Sequence, residues 1–319
     1  MEGSLKEETQ LIQRLRTNLE SCILGKEKEI ELLMTALLAE GHVLLEDVPG
    51  TGKTVLIKAL AKSIQGQYRR IQCNPDLLPT DITGVSIFHP KEESFLFRPG
   101  PVMTNILLAD EINRATTKTQ SALLEAMEER HVTVDGECYE LPKPFLLLAT
   151  QNPIDFEGTY ILPEAQLDRF MMKFSLGYPN ELTELEMVTA QSRKHPLDEL
   201  QPVATTEQII QLQSLARQTH IDNAVAHYAV QVSRLTRENP AIFLGASPRA
   251  TLSLVQAAKA FAFLRGREYV IPDDIKELTP HVLGHRIILQ SEARMEGATI
   301  SSVLETVFRQ VRVPVRLEK

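Results

Sequence analysis

The sequence predicts an α/β layer sandwich built on a parallel sheet, followed by a smaller all-helical domain. Three observations carry this. Val43-Leu44-Leu45, Ile106-Leu107-Leu108-Ala109 and Phe145-Leu146-Leu147-Leu148-Ala149 are short, continuous apolar runs, as in strands buried on both faces. Helical patterns alternate with them, the order that yields a parallel sheet. From Gly177-Tyr178-Pro179-Asn180 onward the strand signal fades and helical periodicity alone continues. A boundary is expected there, assigning 1–177 to the α/β unit and 178–319 to the helical one. The irregular Gly177–Asn180 segment is expected to be a hinge held by few contacts.

The elements follow in order. Ser4 and Glu7 are spaced as a capping box, with a helix running to about Ser21. A second helix follows Gly25, with Ile30, Leu33, Met34, Leu37 and Leu38 on one face. The 43–45 strand ends in a Gly-rich turn that opens a helix from Lys53 to Ile64, and a short strand comes at 70–73. An insertion rich in Gly, Pro and Phe spans 82–102. After the 106–109 strand comes a helix over 120–129, then Val132–Tyr139, a hairpin pattern with Asp135-Gly136 at its turn. Helical patterns then run over 181–193, 206–217, 223–238, 248–265 and 273–283, with one more within 299–319. Ser247-Pro248 reads as the N-cap and first position of its helix.

Composition narrows the function. At 319 residues the chain suits about two domains of roughly 100–200 residues. Hydrophobic residues at 43% and charged residues at 24% describe a globular chain with a substantial core. A formal net charge of −8 argues against binding driven by counterion release, so no nucleic-acid partner and no DNA-translocating motor is expected. No apolar run approaches the ~18 residues of a membrane helix, so no membrane insertion is expected. The hydrophilic start Met1–Glu8 lacks the regions of a signal peptide, and Cys22, Cys73 and Cys138 are isolated. These features point to a cytoplasmic protein. His281 and His285 are four apart, but Gly284 weakens their helix and no acid stands between them, so they are not read as metal ligands.

Three polar clusters stand at strand ends. Glu46-Asp47-Val48-Pro49-Gly50-Thr51-Gly52-Lys53-Thr54 links a buried strand to a helix, the context of a phosphate-binding loop. Its backbone amides and helix N-terminus would cradle phosphates, Lys53 would reach the β- and γ-phosphates, and Thr54 would offer its hydroxyl to Mg²⁺. Asp47 stands where the motif has its first glycine, so its side chain must turn away from the phosphates. Asp110-Glu111 ends the second strand; one acid would hold Mg²⁺ and the next polarise water, although such a pair can also cap an exposed turn. Thr150-Gln151-Asn152-Pro153 ends the third, where a neutral amide could orient the attacking water.

These motifs, with Leu108-Ala109-Asp110-Glu111-Ile112-Asn113-Arg114-Ala115, Leu162-Pro163-Glu164-Ala165-Gln166-Leu167-Asp168-Arg169-Phe170 and Gly245-Ala246-Ser247-Pro248-Arg249, resemble the MoxR branch of the AAA+ ATPases from about Ile23 to Arg312. The resemblance implies a P-loop AAA+ core with helices on both faces of the sheet and a helical lid. It implies Asp110 as the Walker B magnesium residue beside Thr54, Glu111 as catalytic base, Asn152 as sensor 1, Arg169 as arginine finger and Arg249 as sensor 2. ATP would contact Ile23, Leu24, Pro49, Gly50, Thr51, Gly52, Lys53, Thr54, Val55, Pro248 and Arg249. The 82–102 insertion resembles the helix-2 insert and the 132–140 hairpin the pre-sensor-1 hairpin, both facing a ring's pore. The residues alone leave Arg169 able to pair with Asp168 or Glu164, Arg249 able to be a solvated surface arginine, and Phe88, Phe95 and Phe97 able to pack within their hairpin.

The function implied is ATP hydrolysis by a homo-oligomeric ring, a hexamer, that remodels or matures protein partners, in a chaperone-like, metal-insertion or complex-assembly role. The family's usual partner carries a von Willebrand factor A domain. The competing readings are a nucleotide-switched scaffold with negligible turnover and a P-loop kinase.

Overall fold

A computed structural model describes residues 2–48, 50–152, 159–190 and 196–314, with the side chains of 2–6 and 190 excepted. Pro49 and Pro153 lie outside the described residues. Helices α1 (Glu2–Glu20) and α2 (Glu27–Leu38) precede β1 (Val43–Glu46), α3 (Lys53–Ser63) and β2 (Tyr68–Gln72). Then come α4 (Pro79–Thr83), β3 (Gly84–His89), β4 (Ser94–Pro99), β5 (Ile106–Asp110), a 3-10 turn at Ile112–Arg114 and α5 (Thr117–Glu129). The α/β part continues through β6 (His131–Val134), β7 (Glu137–Glu140), β8 (Leu146–Gln151), α6 (Glu164–Leu167) and β9 (Met172–Phe174). The remainder is α7 (Glu181–Ala190), α8 (Pro196–Glu199), α9 (Thr206–Gln218), α10 (Asn223–Glu238), β10 (Ile242–Leu244), α11 (Pro248–Leu264), α12 (Pro272–Leu283), β11 (Ile288–Leu289), α13 (Ser291–Met295) and α14 (Ile300–Gln310).

The sheet has five parallel strands in the order β2-β5-β8-β1-β9. Strand periodicity divides its side chains between two cores. Val43, Leu45, Ile106, Leu108, Leu146 and Leu148 point to one face, while Leu44, Leu107, Ala109, Leu147 and Ala149 point to the other. The first face is covered by α1, α2 and α3, and its core runs without a break into α9, α10, α11, α12 and α14. The second is covered by α5, with Leu123, Leu124 and Met127, and by Phe170.

Several elements differ from expectation. Helix α1 begins at Glu2, so Ser4 lies inside it rather than capping it. Strand β9 is three residues long, too short for a periodic signal, and exists because it pairs with β1 in the register Val43↔Met172. The helical half also holds an antiparallel pair, β10 with β11. The 82–102 insertion is a hairpin whose strands pair Gly84 with Pro99 through His89 with Ser94. Asp135 (φ 52°) and Gly136 (φ 84°) are both left-handed, as a two-residue hairpin turn of matching twist requires. Phe97 stacks on Tyr139 at 3.9 Å and joins the two hairpins, whereas Phe88 and Phe95 meet edge to face and Phe95 is exposed.

The loosely held hinge is corrected by the structure. Helix α11 packs on α2, and α12 packs on β9, so the apolar core bridges the Gly177–Asn180 segment. Arg265 adds a polar tie, donating to Glu31 of α2 and to Glu277 of α12.

Candidate nucleotide site

The loop after β1 takes its shape from two glycines. Gly50 (φ 87°) and Gly52 (φ 88°) are left-handed, and a Cβ on either would meet no neighbour, so backbone conformation and not crowding demands glycine. Helix α3 starts at Lys53, and its first-turn amides, which have no intrahelical acceptor, face the loop. Lys53 Nζ lies over the loop, donating to the carbonyls of Asp47 (3.2 Å) and Val48 (3.0 Å). Val55, in the same first turn, is half-buried against the core.

Asp47 turns away from the loop, as expected. Its carboxylate, 4% exposed, accepts bonds from Ser175 Oγ (2.7 Å) and from the backbone amides of Leu176 (2.5 Å) and Gly177 (3.0 Å). The turn after α1 meets the next stretch of the same segment. Lys26 Nζ donates to the Tyr178 carbonyl, and a Cβ on Gly25 would lie 2.8 Å from Thr183 Oγ1. Ile23 is buried and Leu24 half-buried in this turn.

Parallel pairing brings the other strand ends beside the loop: Gln72 registers with Asp110, and Gln151 with Glu46. Thr150 Oγ1 organises the acidic pair, donating to Asp110 Oδ1 (2.5 Å) and accepting the Glu111 amide (2.8 Å). Glu111 has φ 56°, a left-handed conformation that a non-glycine residue keeps only when its surroundings hold it. Arg70 donates to Asp110 Oδ2 (2.6 Å), Gln72 donates to Glu111 Oε2 (2.9 Å), and Arg114 lies 3.5 Å from the same oxygen. Burial pushes the neighbouring Cys73 thiol up to about 12, with the Asp110 and Glu111 charges adding to the shift. Asn152 directly follows β8 at this edge. Sequence reasoning missed Arg70, Gln72 and the two hydrogen bonds of Thr150, because nothing in the chain order says that β2 and β8 flank β5.

Arg169, Pro248 and Arg249 are elsewhere. Arg169 Nε lies 3.0 Å from Glu128 Oε2, and Arg249 is bonded to the other oxygen of the same carboxylate. Arg169 therefore pairs with neither Asp168 nor Glu164, and Arg249 is not a free surface side chain. Asp168 binds Arg286 Nε (2.8 Å) and Ser247 Oγ (3.1 Å), the hydroxyl that also caps α11 at the Ala250 amide. Pro248 is the first residue of α11. This cluster sits at the N-terminal ends of the strands: the Met171 amide donates to the His42 carbonyl just before β1. Lys53 follows the opposite end of β1, so roughly five residues of extended chain, about 15 Å, separate the two sites.

His42 lies under the arginine cluster and is fully buried. The Leu147 amide donates to its Nδ1, so Nε2 carries the proton shared with the Met127 carbonyl. Burial, with the Arg130 charge, lowers its pKa to about 3, and burial beside Arg286 lowers that of His285 to about 3. Both imidazoles are neutral at pH 7.

The wider comparisons agree with this geometry. The pattern of the ATPase family associated with various cellular activities matches residues 42–172, and that of the AAA lid domain matches 234–307. YeaC of Bacillus subtilis, a protein of uncharacterised function, is 51% identical over 92% of each chain. The chaperone MoxR1 of Mycobacterium tuberculosis is 40% identical over 97% of this chain and 84% of its own. The crystal structure of a candidate ATPase from Cytophaga hutchinsonii superposes with a TM-score of 0.92 at 38% identity, over 98% of both chains. With its parallel-sheet core, helical lid and phosphate loop, the chain belongs to the MoxR family of AAA+ ATPases.

Proposed function

We propose that the protein hydrolyses ATP in a ring, a hexamer, in which each copy supplies Arg169 and Arg249 to the nucleotide held by its neighbour. The observation that carries this reading is that both arginines share Glu128 at the sheet edge opposite Lys53, with the length of β1 between that edge and the loop of their own chain. Lys53 and the first amides of α3 bind the phosphates, and Ile23 and Leu24 flank the base. Glu111 takes the proton from the attacking water, and Asn152 orients that water without adding charge. The neighbour's arginines neutralise charge that develops on the γ-phosphoryl.

Thr54 and Asp110 offer hard oxygen donors, and among the described residues no group of three His, Cys, Asp or Glu could hold a metal alone. That set fits Mg²⁺, which binds through one or two protein oxygens and the substrate phosphates. When bound, Mg²⁺ neutralises phosphate charge; Thr150 and Arg70 hold Asp110 in place for it. By analogy with the relative named a chaperone, the cycle remodels or matures protein partners; the resemblance of the motifs to the MoxR family adds complex assembly or metal insertion as its role and a protein with a von Willebrand factor A domain as its partner. The 178–319 unit acts as the lid.

The test mixes two inactive variants. Arg169→Ala binds ATP but hydrolyses it poorly; Lys53→Ala cannot bind it but keeps its arginines. Mixed rings regain phosphate release where an intact arginine meets an intact loop. No rescue in rings shown to contain both variants sinks the assignment in trans.

A further inference from the structure

We infer that Asp47 couples the phosphate loop to the segment that leads into the helical half, acting as a positioning residue for nucleotide-dependent movement. The inference rests on the nucleotide reading above and goes beyond it. Three bonds converge on one buried carboxylate, from Ser175 Oγ, Leu176 N and Gly177 N. The two successive amides form a small anion-binding nest, shaped by the left-handed Gly177 (φ 62°). The backbone of the same residue belongs to the nucleotide machinery: its carbonyl accepts Lys53 Nζ, and its amide donates to the Gln151 carbonyl beside Asn152. One residue thus connects the phosphate-reaching lysine, the end of β8 and the chain leaving β9.

The neighbouring contacts make this a route. Beyond Gly177, the Tyr178 carbonyl is held by Lys26, and Thr183 of α7 packs on Gly25, next to Ile23 and Leu24. The 175–183 segment is therefore gripped from the phosphate side by Asp47 and from the other side by the turn after α1. When Lys53 turns from the Asp47 carbonyl to a phosphate, the Asp47 peptide loses one of its fixings. Its carboxylate carries the adjustment to 175–177. A glycine, the usual residue of the motif at this position, could bind the phosphates equally well but could not transmit anything to this segment.

Amide hydrogen exchange on the full chain, with and without AMP-PNP and Mg²⁺, tests this separately from turnover. In the wild type the analogue protects 50–55 and also changes exchange at Leu176 and Gly177. In Asp47→Gly those two amides exchange about tenfold faster or more and lose their nucleotide response, while 50–55 remain protected by the analogue. Asp47→Asn, nearly isosteric and gentler on folding, turns an amide N–H₂ toward Leu176 and frees that amide while Gly177 keeps its acceptor. The inference is overturned if Leu176 and Gly177 keep their nucleotide response in either variant, or if they never respond in a wild type whose loop does. A wild type with no protection at 50–55 overturns the nucleotide reading itself, and the coupling with it.

Discussion

The two edges of the sheet are built from different materials. At the C-terminal edge, the polar groups come from three short runs, 47–55, 110–114 and 150–152, with Arg70 and Gln72 added from β2. Its charges balance locally: Asp110 with Arg70, Glu111 with Arg114, Glu46 with Lys173. At the N-terminal edge, Glu40, Glu128 and Asp168 face Arg130, Arg217, Arg169, Arg249 and Arg286, drawn from six parts of the chain. Glu40 and Glu128 each serve two arginines, and Glu125 and Glu129 line the same pocket as Arg169. In the ring proposed above, this edge would meet another copy head to tail, opposite edges together, the contact type that closes into rings. The contrast teaches that one edge is assembled from runs local in the chain and the other from distant parts; under the proposed function the first holds the substrate and the second supplies charge to a site outside its own chain.

The sharpest way to break the comparison is at the C-terminal edge. Lys53→Ala is expected to abolish nucleotide binding. Glu111→Gln is expected to keep ATP affinity within a fewfold while turnover falls by about 10²–10⁴, since only water activation is lost. Calorimetric titration with steady-state phosphate release separates the two, and near wild-type hydrolysis by Glu111→Gln would show that the base is another group.

Within the N-terminal edge, two arginines should behave oppositely. Arg286, its side chain 2% exposed, is bonded to Asp168 and to the carbonyls of Asp168 and Phe170. Removing it strands buried acceptors, so Arg286→Ala is expected to lose roughly 3–5 kcal/mol of stability. Arg169, about a third exposed, is a surface partner of Glu128, and Arg169→Ala is expected to cost no more than about 1 kcal/mol while lowering turnover by ~10³ or more. Urea midpoints measured beside rates decide this; equal losses of stability in both variants would erase the distinction.

The most gradual effect is pH dependence. Unfolded histidine takes a proton near pH 6.5, whereas folded His42 and His285 resist it down to about 3. Between those values the unfolded chain binds more protons, so stability falls as pH drops through this window. From pH 7 to pH 5 each histidine is expected to remove roughly 2 kcal/mol. A urea midpoint unchanged over that range would mean that one imidazole is not sealed from water.

Little of the second edge was legible in the sequence. Arg169 and Arg249 could be singled out because their flanking motifs, Asp168-Arg169-Phe170 and Ser247-Pro248-Arg249, resemble family patterns. Their common partner Glu128 stands in an ordinary helix end, Thr117–Glu129, with no local signal of its own. Strand β9 was invisible for a related reason: three residues become a strand only because β1 offers them a ladder. The expected loose hinge failed because periodicity reports that a helix has an apolar face but not what that face covers.

By itself, the sequence determined what depends on neighbours in the chain. Glycine backbone freedom at 50 and 52, the Ser247 cap, the Asp135-Gly136 turn and the continuous apolar runs of β1, β5 and β8 all act over a few residues. Tertiary structure alone decided the strand order, the seating of α11 and α12 on α2 and β9, the sharing of Glu128, and the burial of Asp47 against the Ser175 hydroxyl and the Leu176 and Gly177 amides. The physical reason is one of range. Backbone preferences and caps act within a few residues, whereas a buried carboxylate takes its partners from whatever donors packing brings within about 3 Å, however far apart in the chain.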